Sequence, residues 1–205
     1  MTCGVKTKDM NVGSKKSQKT GEHARDFLIE KVTDSEIQEL LLDVSNENGE
    51  IGGYIHINEI AAENKSIEEY FCDTEQMLIR SVFFIVKHLK LPLMEQHKNG
   101  GGLVSIATRI DGKLGMNGIM PRSIIQGGYF GLVKSLKMEA PQLCCRCVDI
   151  SPELDDDLTT DIVLDEIFDD KCEHVEVGRC SAKQRITIIK KGNSESLDEL
   201  SLIQI

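Results

Sequence analysis

Residues 103–150 contain LVSIATRIDGKLG (103–115), GGYFGLVKSLKMEAP (127–141) and CCRCVDI (144–150), and these segments decide the fold that the sequence predicts. The first segment begins with a mostly apolar stretch of strand length, and the third is nearly apolar throughout. Such stretches are typical of strands buried on both faces. The second places its leucines and valine on one helical face before Pro141 ends it. Strand, helix and strand in this order indicate a right-handed crossover between parallel strands.

The same alternation extends over most of the chain. Strands are predicted at 27–29, 54–57, 103–107, 144–150 and 185–189, and helices after an N-cap at 33–35, at 66–71, at 74–91 with Pro92 ending it, at 127–140 and at 159–168. We therefore expect an α/β fold, a truncated Rossmann-like sandwich whose mostly parallel sheet of about five strands is flanked by helices.

The two ends differ from the middle in composition. Residues 1–25 are rich in Lys, Ser, Thr and Gly, so they bury too little apolar surface to offset the entropy of ordering, and we predict a disordered leader or linker. Residues 26–191 form the predicted Rossmann-like subdomain, and residues 192–205 a C-terminal linker. The last four residues are largely apolar, which is typical of a chain cut from a longer one.

Composition excludes several classes of function. The net charge is −10 and the pI about 5.0, which argues against a nucleic-acid partner or an anionic membrane surface. No apolar run approaches the length of a membrane span. The seven cysteines contain one C-x-x-C spacing, Cys144 to Cys147, which lies inside an apolar strand-like run. We therefore expect reduced thiols and a cytoplasmic protein, with Cys144, Cys145 and Cys147 packing as small hydrophobes. Cys172, His174 and Cys180 come nearest to the spacing of a metal site.

No glycine-rich turn suits a dinucleotide. A Rossmann cofactor site needs glycines between the first strand and the first helix, where backbone amides receive the pyrophosphate. The triplet 100–102 precedes a strand instead, so it is interpreted as a flexible turn. Gly127 and Gly128 open a helix late in the fold, where close helix packing is the expected reason for them. We expect no cofactor in this chain.

Several of these segments carry a family resemblance. VTD (32–34) before a helix, GYIHI (53–57) and the long helix with Lys87 are similar to the third strand onward of short-chain dehydrogenases/reductases. TRIDGKLG (108–115) resembles the loop that carries their catalytic serine. GLVKSL (131–136) resembles the helix segment after their catalytic Tyr/Lys pair. The likeness covers roughly residues 27–190.

Within that family the chain most resembles the ketoreductase region of polyketide and polyunsaturated-fatty-acid-type synthases. The segments that carry this are GGYFGLVKSLKMEAPQLCCRCVDISPEL (127–154) and EVGRCSAKQRITII (176–189), which resembles a closing strand pair. In those regions a cofactor-free structural subdomain precedes and braces the catalytic one. The resemblance therefore implies a partner subdomain that binds NADPH, expected in the segment that follows Ile205.

The resemblance places other residue types at the four positions of the reductase chemistry. Arg109 falls at the serine position, Arg122 at the tyrosine, Gln126 at the lysine and Leu78 at the supporting asparagine. The reaction needs a phenol, its pKa lowered by a nearby ammonium, that gives a proton to a carbonyl oxygen. Arginine cannot be that acid because its pKa exceeds about 12, and glutamine carries no charge. The resemblance thus implies no catalytic residues here.

Two other constellations compete with this interpretation. Ser105, Tyr129 and Lys134 occur in the order of a reductase triad. However, five residues separate Tyr129 from Lys134, a rotation of about 140° around a helix, and Ser105 lies mid-strand. Strand and helix packing explains the trio more simply. The run 155–157 with Asp161 lacks the spacing of a calcium loop and is more typical of a helix N-terminus.

The leading hypothesis is a non-catalytic structural subdomain of a synthase ketoreductase region, whose partner is the catalytic subdomain. Its alternative is an NADPH-dependent short-chain-dehydrogenase-type ketoreductase acting on β-ketoacyl thioesters. A third is a stand-alone module recruited to a synthase through its basic leader. An exposed apolar patch is expected in the first case, and self-association as a homodimer stays open.

Overall fold

The computed structural model describes residues 32–58, 73–117, 124–169 and 171–188, and the backbone of short strands nearer the ends. The strands are β1 Thr2–Lys6, β2 Gln18–Lys19, β3 Ala24–Leu28, β4 Gly53–Ile57, β5 Leu103–Thr108, β6 Cys144–Ile150, β7 Glu176–Ser181, β8 Gln184–Ile188 and β9 Leu202–Gln204. The helices are α1 Asp34–Asn48, α2 Asp73–Gln96, α3 Ile124–Glu139 and α4 Asp156–Ile167. A 3₁₀ turn, His97–Asn99, follows α2.

The main sheet has the order β4-β5-β6-β7-β8-β9. Strands β4 to β7 are parallel neighbours, and β8 and β9 pair antiparallel at one edge. The two central strands, β5 and β6, are almost wholly buried, as parallel strands covered on both faces should be. The predicted mostly parallel, helix-flanked sheet is confirmed.

Helices cover both faces of this sheet. On one face, α1, α2 and α3 bury Ile37, Val82, Leu89, Leu93, Tyr129 and Val133 against Val104, Ile106, Cys145 and Cys147. On the other face, α4 buries Ile162 and Val163 against Ala107, Val148 and Ile150. Alternate residues of β5 and β6 thus supply two separate cores, because successive side chains of a strand point to opposite faces.

The N-terminal strands differ from the expectation. The strand predicted at 27–29 is β3, which pairs with β1 and β2 in a separate three-stranded sheet instead of joining the main one. Strands β1 and β2 lie inside residues 1–25, and β9 lies inside 192–205 and pairs with β8. The predicted leader and C-terminal linker therefore contain strand segments, and the division into domains stays a prediction.

The helix boundary predicted at Pro92 is wrong. Helix α2 continues to Gln96 with Pro92 inside it. The proline forfeits one backbone hydrogen bond. The next residue, Leu93, is fully buried in the larger core together with Leu89, and continuing the helix keeps both side chains there. Burial therefore outweighs the local helix-breaking tendency.

A disulfide joins Cys144, at the start of β6, to Cys172 in the segment before β7. This corrects the expectation that Cys144 packs as a reduced hydrophobic residue. Cys145 and Cys147 do remain free and buried, as expected. Burial raises the pKa of the Cys145 thiol to about 11, which keeps that thiol protonated.

Candidate functional site

The carboxyl ends of β4, β5 and β6 are where an open α/β sheet would hold a ligand. The loop 109–117 leaves β5 at this edge. Its backbone is held by Asp149, the next-to-last residue of β6, whose Oδ1 accepts from the amide of Ile110 at 2.8 Å and whose Oδ2 accepts from the amide of Leu114 at 2.8 Å. The carboxylate of Asp111 in turn accepts from the amides of Lys113, Gly115 and Asn117.

The two carboxyl groups have opposite pKa shifts. Burial and a hydrogen bond with Asp111 raise the pKa of Asp149 from 3.8 to about 7. The pKa of Asp111 is lowered: burial opposes this shift, but hydrogen bonds from Asp149 and from backbone amides favour the charged form. Asp149 therefore holds a proton through much of the acidic range, while Asp111 carries the charge that organises the loop.

Two glycines press this loop against β7. Gly112 has φ +72°, and a Cβ there would lie 2.6 Å from the carbonyl oxygen of Arg179 and 2.8 Å from the amide nitrogen of Ser151. A Cβ at Gly178 would lie 2.6 Å from the carbonyl oxygen of Gly112. Only hydrogen at both positions permits this approach. The loop that resembles the family's serine loop is thus packed tightly onto its neighbours.

Arg109 and Gln126, predicted to stand at the serine and lysine positions, do come together. The backbone amide of Arg109 donates to Oε1 of Gln126 at 2.6 Å, and both residues are buried. The Arg109 guanidinium turns toward α4, where it donates to Oγ1 of Thr159 and to the carbonyl oxygen of Leu154. Both side chains therefore tie the β5 loop to the surrounding elements.

The residues that the resemblance aligns with the family's asparagine and tyrosine, Leu78 and Arg122, say less about the site. Leu78 lies partly exposed in α2, and its carbonyl oxygen accepts from Oγ of Ser81 at 2.7 Å. Arg122 lies outside the described residues, as do Cys72 and the helix predicted at 66–71.

The trio Ser105, Tyr129 and Lys134 is not assembled. Tyr129 packs in the same core as Val104 and Ile106 of β5. Ser105 lies between those two strand residues, so its side chain points to the opposite face of the sheet. The exposed Lys134 forms an ion pair with Glu176 at 2.9 Å. Neither the strand nor the helix directs these three side chains to one point.

A buried cluster of charges was missed by sequence reasoning. Glu166 in α4 accepts from Arg179 and Arg185 on Oε1 at 3.0 Å each, and from Arg146 at 3.1 Å and Arg185 at 3.0 Å on Oε2. Nη2 of Arg146 also lies 2.9 Å from Asp169, at an angle that makes no hydrogen bond. The available signal was Arg146 in the apolar run CCRCVDI, because a charge in a buried strand needs a partner.

The metal-like and glycine motifs have structural roles. Asp155 is the N-cap of α4 and accepts from the amide of Leu158 at 2.8 Å, which confirms the helix N-terminus interpretation. Cys172 is used by the disulfide, and Sγ of Cys180 donates to the carbonyl oxygen of Gly112. A Cβ at Gly127 would have no atom within 4 Å of it, so close helix packing is the wrong explanation for this glycine.

Neither a cluster of metal-ligating side chains nor a membrane-spanning helix occurs in the part of the chain that the structure describes. Within residues 32–58, 73–117, 124–169 and 171–188, no three His, Cys, Asp or Glu side chains come together as metal ligands would. No helix within the same ranges has both the length and the apolar character that crossing a membrane requires.

A groove between α2 and α3 forms the second notable surface. Its volume is about 300 Å³, and it is lined by Phe83, Val86, Lys87, Lys90, Leu132, Ser135, Leu136 and Glu139. Phe83 is 49% exposed there, and Leu91 and Met138 are exposed on the same two helices. Lys90 and Glu139 form an ion pair of 2.9 Å between the helices. Exposed aromatic and aliphatic groups around a groove are typical of a docking surface.

No protein-family model and no curated protein sequence matches this chain. Solved structures match it in fold. One is a multidomain structure of a keto acid-selecting NRPS module with adenylation, ketoreductase and pseudo Asub domains, at 11% identity and a TM-score of 0.62, covering 90% of this chain and 14% of that one. An alcohol dehydrogenase from the archaeon Thermococcus sibiricus, complexed with 5-hydroxy-NADP, matches at 13% identity and a TM-score of 0.49.

The match to that alcohol dehydrogenase covers 62% of this chain and 54% of the enzyme, so the chain spans about half of the enzyme's length. An SCOR enzyme from Clostridium thermocellum matches at 11% identity and a TM-score of 0.49, covering 74% of this chain and 68% of the enzyme. At these identities the likeness extends to the fold alone. Together with the sheet topology, the match to the NRPS module defines a Rossmann-like α/β fold.

Proposed function

We propose that this chain is a non-catalytic structural subdomain of the ketoreductase region of a polyketide or fatty-acid-type synthase, and that it braces an NADPH-binding catalytic subdomain. One observation carries the proposal. The residues that the resemblance aligns with the catalytic serine and lysine, Arg109 and Gln126, are buried and bonded to each other at the carboxyl edge of the sheet.

The chemistry of these two residues supports a scaffold. A ketoreductase delivers hydride from a nicotinamide and a proton from an activated phenol. The Gln126 amide is engaged by the Arg109 backbone and has no charge with which to lower the pKa of a phenol. The Arg109 guanidinium is engaged with α4. Both side chains therefore hold the loop 109–117 in place, which is a structural task.

The α2–α3 groove is the surface that we propose for the catalytic subdomain. Phe83 is exposed in the groove, and Leu91 and Met138 are exposed elsewhere on the same two helices. Burying apolar side chains of this size at an interface stabilises it by about 1.5–3 kcal/mol each before the costs of association. An obligate interface between subdomains is large and apolar. A rigid α/β unit docked there would fix the position of its neighbour's helices, and through them the neighbour's active site.

Nucleotide titration of the isolated chain tests the absence of a cofactor site. We expect no saturable binding of NADPH or NADP⁺ up to about 1 mM in calorimetry, and no oxidation of NADPH in the presence of a β-ketoacyl thioester. Tight NADPH binding together with turnover would instead support the alternative, an active short-chain-dehydrogenase-type ketoreductase.

Docking is tested by coexpression with the proposed partner, the NADPH-binding catalytic subdomain, as a separate polypeptide. The two polypeptides should copurify, and the partner's reductase activity should require this chain. Phe83→Glu should abolish copurification because it removes the exposed aromatic side chain of the groove and would bury an additional charge at the interface. Phe168→Glu is the matched control: Phe168 is 78% exposed at the end of α4, on the opposite face of the sheet. Equal loss in both variants, or full activity of the partner alone, would contradict the proposal.

A further inference from the structure

A cavity of about 280 Å³ lies at the carboxyl ends of β4, β5 and β6, beside the start of α4. Its lining consists of Ile57, Asn58, Ala107, Arg109, Ile150, Asp156 and Thr159. Most of the accessible surface of this lining is apolar, although four of its seven residues carry polar groups that converge on the cavity. This combination is usual for a small-molecule site. The proposed scaffold function gives this cavity no role.

Arg109 is the unusual member of the lining. The residue is only 5% exposed, its Nε has no hydrogen-bond partner, and its two side-chain hydrogen bonds go to uncharged groups of Thr159 and Leu154. No carboxylate of the described residues lies within ion-pair distance of it. Burial lowers the pKa of Arg109, and the nearby Asp156 carboxylate opposes that shift. A buried guanidinium without an ion pair is costly to hold.

Three other arginines, two of them buried and one partly buried, pair their charge with a carboxylate. Arg146, Arg179 and Arg185 all form ion pairs with Glu166. Arg109 has no equivalent partner among the described residues, although Asp156 lines the same cavity. The contrast indicates that the guanidinium of Arg109 has capacity left for an anion that the described residues do not supply.

Apart from the carboxylate of Asp156, the remaining polar side chains of the cavity are already engaged. Asn58 donates from Nδ2 to the carbonyl oxygen of Ala107 at 2.9 Å, and its Oδ1 lies 3.2 Å from Nε2 of His56. Thr159 accepts from Arg109. Arginine has five N–H donors and uses two of them in these bonds, so the guanidinium is the group best able to bind a ligand here.

We propose that this cavity binds a small monocarboxylate, with its carboxylate on Arg109 and a short apolar body against Ile57, Ala107 and Ile150. The volume falls just below the range of roughly 300–1,000 Å³ usual for drug-sized ligands, so a short-chain or single-ring acid fits and a dinucleotide does not. The site is independent of the α2–α3 groove and of the proposed bracing role.

Benzoate and butyrate are the probes, and benzamide and butanol are their uncharged counterparts. Binding to the isotopically labelled full chain is followed by amide chemical shifts at constant ionic strength. We expect saturable shifts for the two carboxylates at residues of the cavity. Binding of the uncharged compounds should be at least about tenfold weaker, because their oxygen atoms can accept a hydrogen bond but cannot form an ion pair with Arg109. Equal binding of both kinds, or none of either, would overturn the proposal.

Two exposed isoleucines of β4 provide a matched pair of variants. Ile57 lines the cavity and is 56% exposed, whereas Ile55 lies two residues earlier on the same face of the strand, outside the lining, and is 42% exposed. Ile57→Trp should block the cavity and abolish carboxylate binding, and Ile55→Trp should leave binding unchanged. Neither side chain is buried, so both variants should fold. Binding that survives Ile57→Trp would overturn the proposal.

Two charge variants should change the affinity for carboxylates in opposite directions. Arg109→Gln keeps hydrogen-bond donors but removes the charge, so carboxylate binding should weaken by about tenfold to a hundredfold. Asp156→Asn removes a like charge from the exposed rim of the cavity, so binding should strengthen several-fold. If Arg109→Gln does not fold, Asp156→Asn and the two isoleucine variants still test whether the cavity binds a carboxylate. No gain in Asp156→Asn would contradict an anion site.

Discussion

Arg185 of β8 binds Glu166 of α4 through two parallel hydrogen bonds, with Nε 3.0 Å from Oε1 and Nη2 3.0 Å from Oε2. Arg146 of β6 and Arg179 of β7 each add a bond to the same carboxylate. One buried carboxylate thus connects α4 to the strands β6, β7 and β8. Bidentate contacts to arginine are among the strongest that a carboxylate forms in proteins.

Replacing Glu166 should destabilise the fold severely. Glu166→Gln removes the charge that three guanidinium groups share, and breaking a buried ion pair in this way costs about 3–5 kcal/mol. Urea unfolding followed by circular dichroism measures the loss. Asp165→Asn is the control, because Asp165 pairs with Arg179 at 3.4 Å while largely exposed, so a loss below about 1 kcal/mol is expected. Similar losses in both variants would show that the cluster does not couple α4 to the sheet.

The stability of the fold should decrease as pH rises from about 4 to about 7. Asp149 is fully buried and its pKa is raised from 3.8 to about 7, so in this window the folded chain holds a proton that the unfolded chain has released. That difference should lower the free energy of unfolding by roughly 2–4 kcal/mol across the window. Thermal melts at several pH values measure it.

Asp149→Asn separates this contribution from other titrating groups. Asparagine cannot ionise, so the decrease between pH 4 and 7 should largely disappear. The variant should be less stable than the parent at pH 4, because its NH₂ group cannot accept from the amide of Leu114. Asp157→Asn, an exposed substitution in the first turn of α4, should keep the parent's pH dependence. If the free energy of unfolding of Asp149→Asn depends on pH as strongly as that of the parent, Asp149 is not the titrating group.

A single methyl group at Gly112 should disrupt the loop 109–117. In Gly112→Ala the Cβ would overlap the carbonyl oxygen of Arg179 at 2.6 Å, in addition to the strain of φ +72°. We expect a loss of about 2–4 kcal/mol in urea unfolding. Gly115→Ala isolates the strain, because Gly115 has φ +80° but open space around it, and should cost about 1 kcal/mol. If the two substitutions cost the same, the loop does not pack onto β7 as described.

The parts of the fold that the sequence predicts are those governed by local pattern. Strands β5 and β6 are nearly continuous apolar runs, and α3 has one apolar face. Predicting these three elements therefore needs no information from distant residues. The prediction that the helix ends at Pro92 failed because the burial of Leu93 depends on tertiary packing, which local sequence rules do not include. The separate pairing of β3 was also invisible, since the sequence does not state which strand is its neighbour.

Much of the candidate site was unpredictable for the same reason. The resemblance identified Arg109 and Gln126 as replacements, but their mutual hydrogen bond joins residues 17 positions apart through the fold. Glu166 meets its three arginines 13 to 20 positions away on three different strands. Spacing alone offers no means to choose such partners, whereas the position of Arg146 within the apolar run of β6 shows that one must exist.

Removing the disulfide should weaken the attachment of the segment before β7. Cys144 and Cys172 are 28 positions apart, and closing a loop of that length stabilises a fold by roughly 3–4 kcal/mol in the chain-entropy model. The double variant Cys144→Ser/Cys172→Ser should therefore unfold at lower urea than the oxidised parent, and equal the parent measured with excess reductant. Cys180→Ser, which changes a thiol outside the disulfide, should leave the difference between oxidised and reduced samples unchanged. A parent whose intact mass under oxidising conditions shows every thiol free to alkylate would contradict this pairing, and the two cysteines would then pack as separate half-buried thiols.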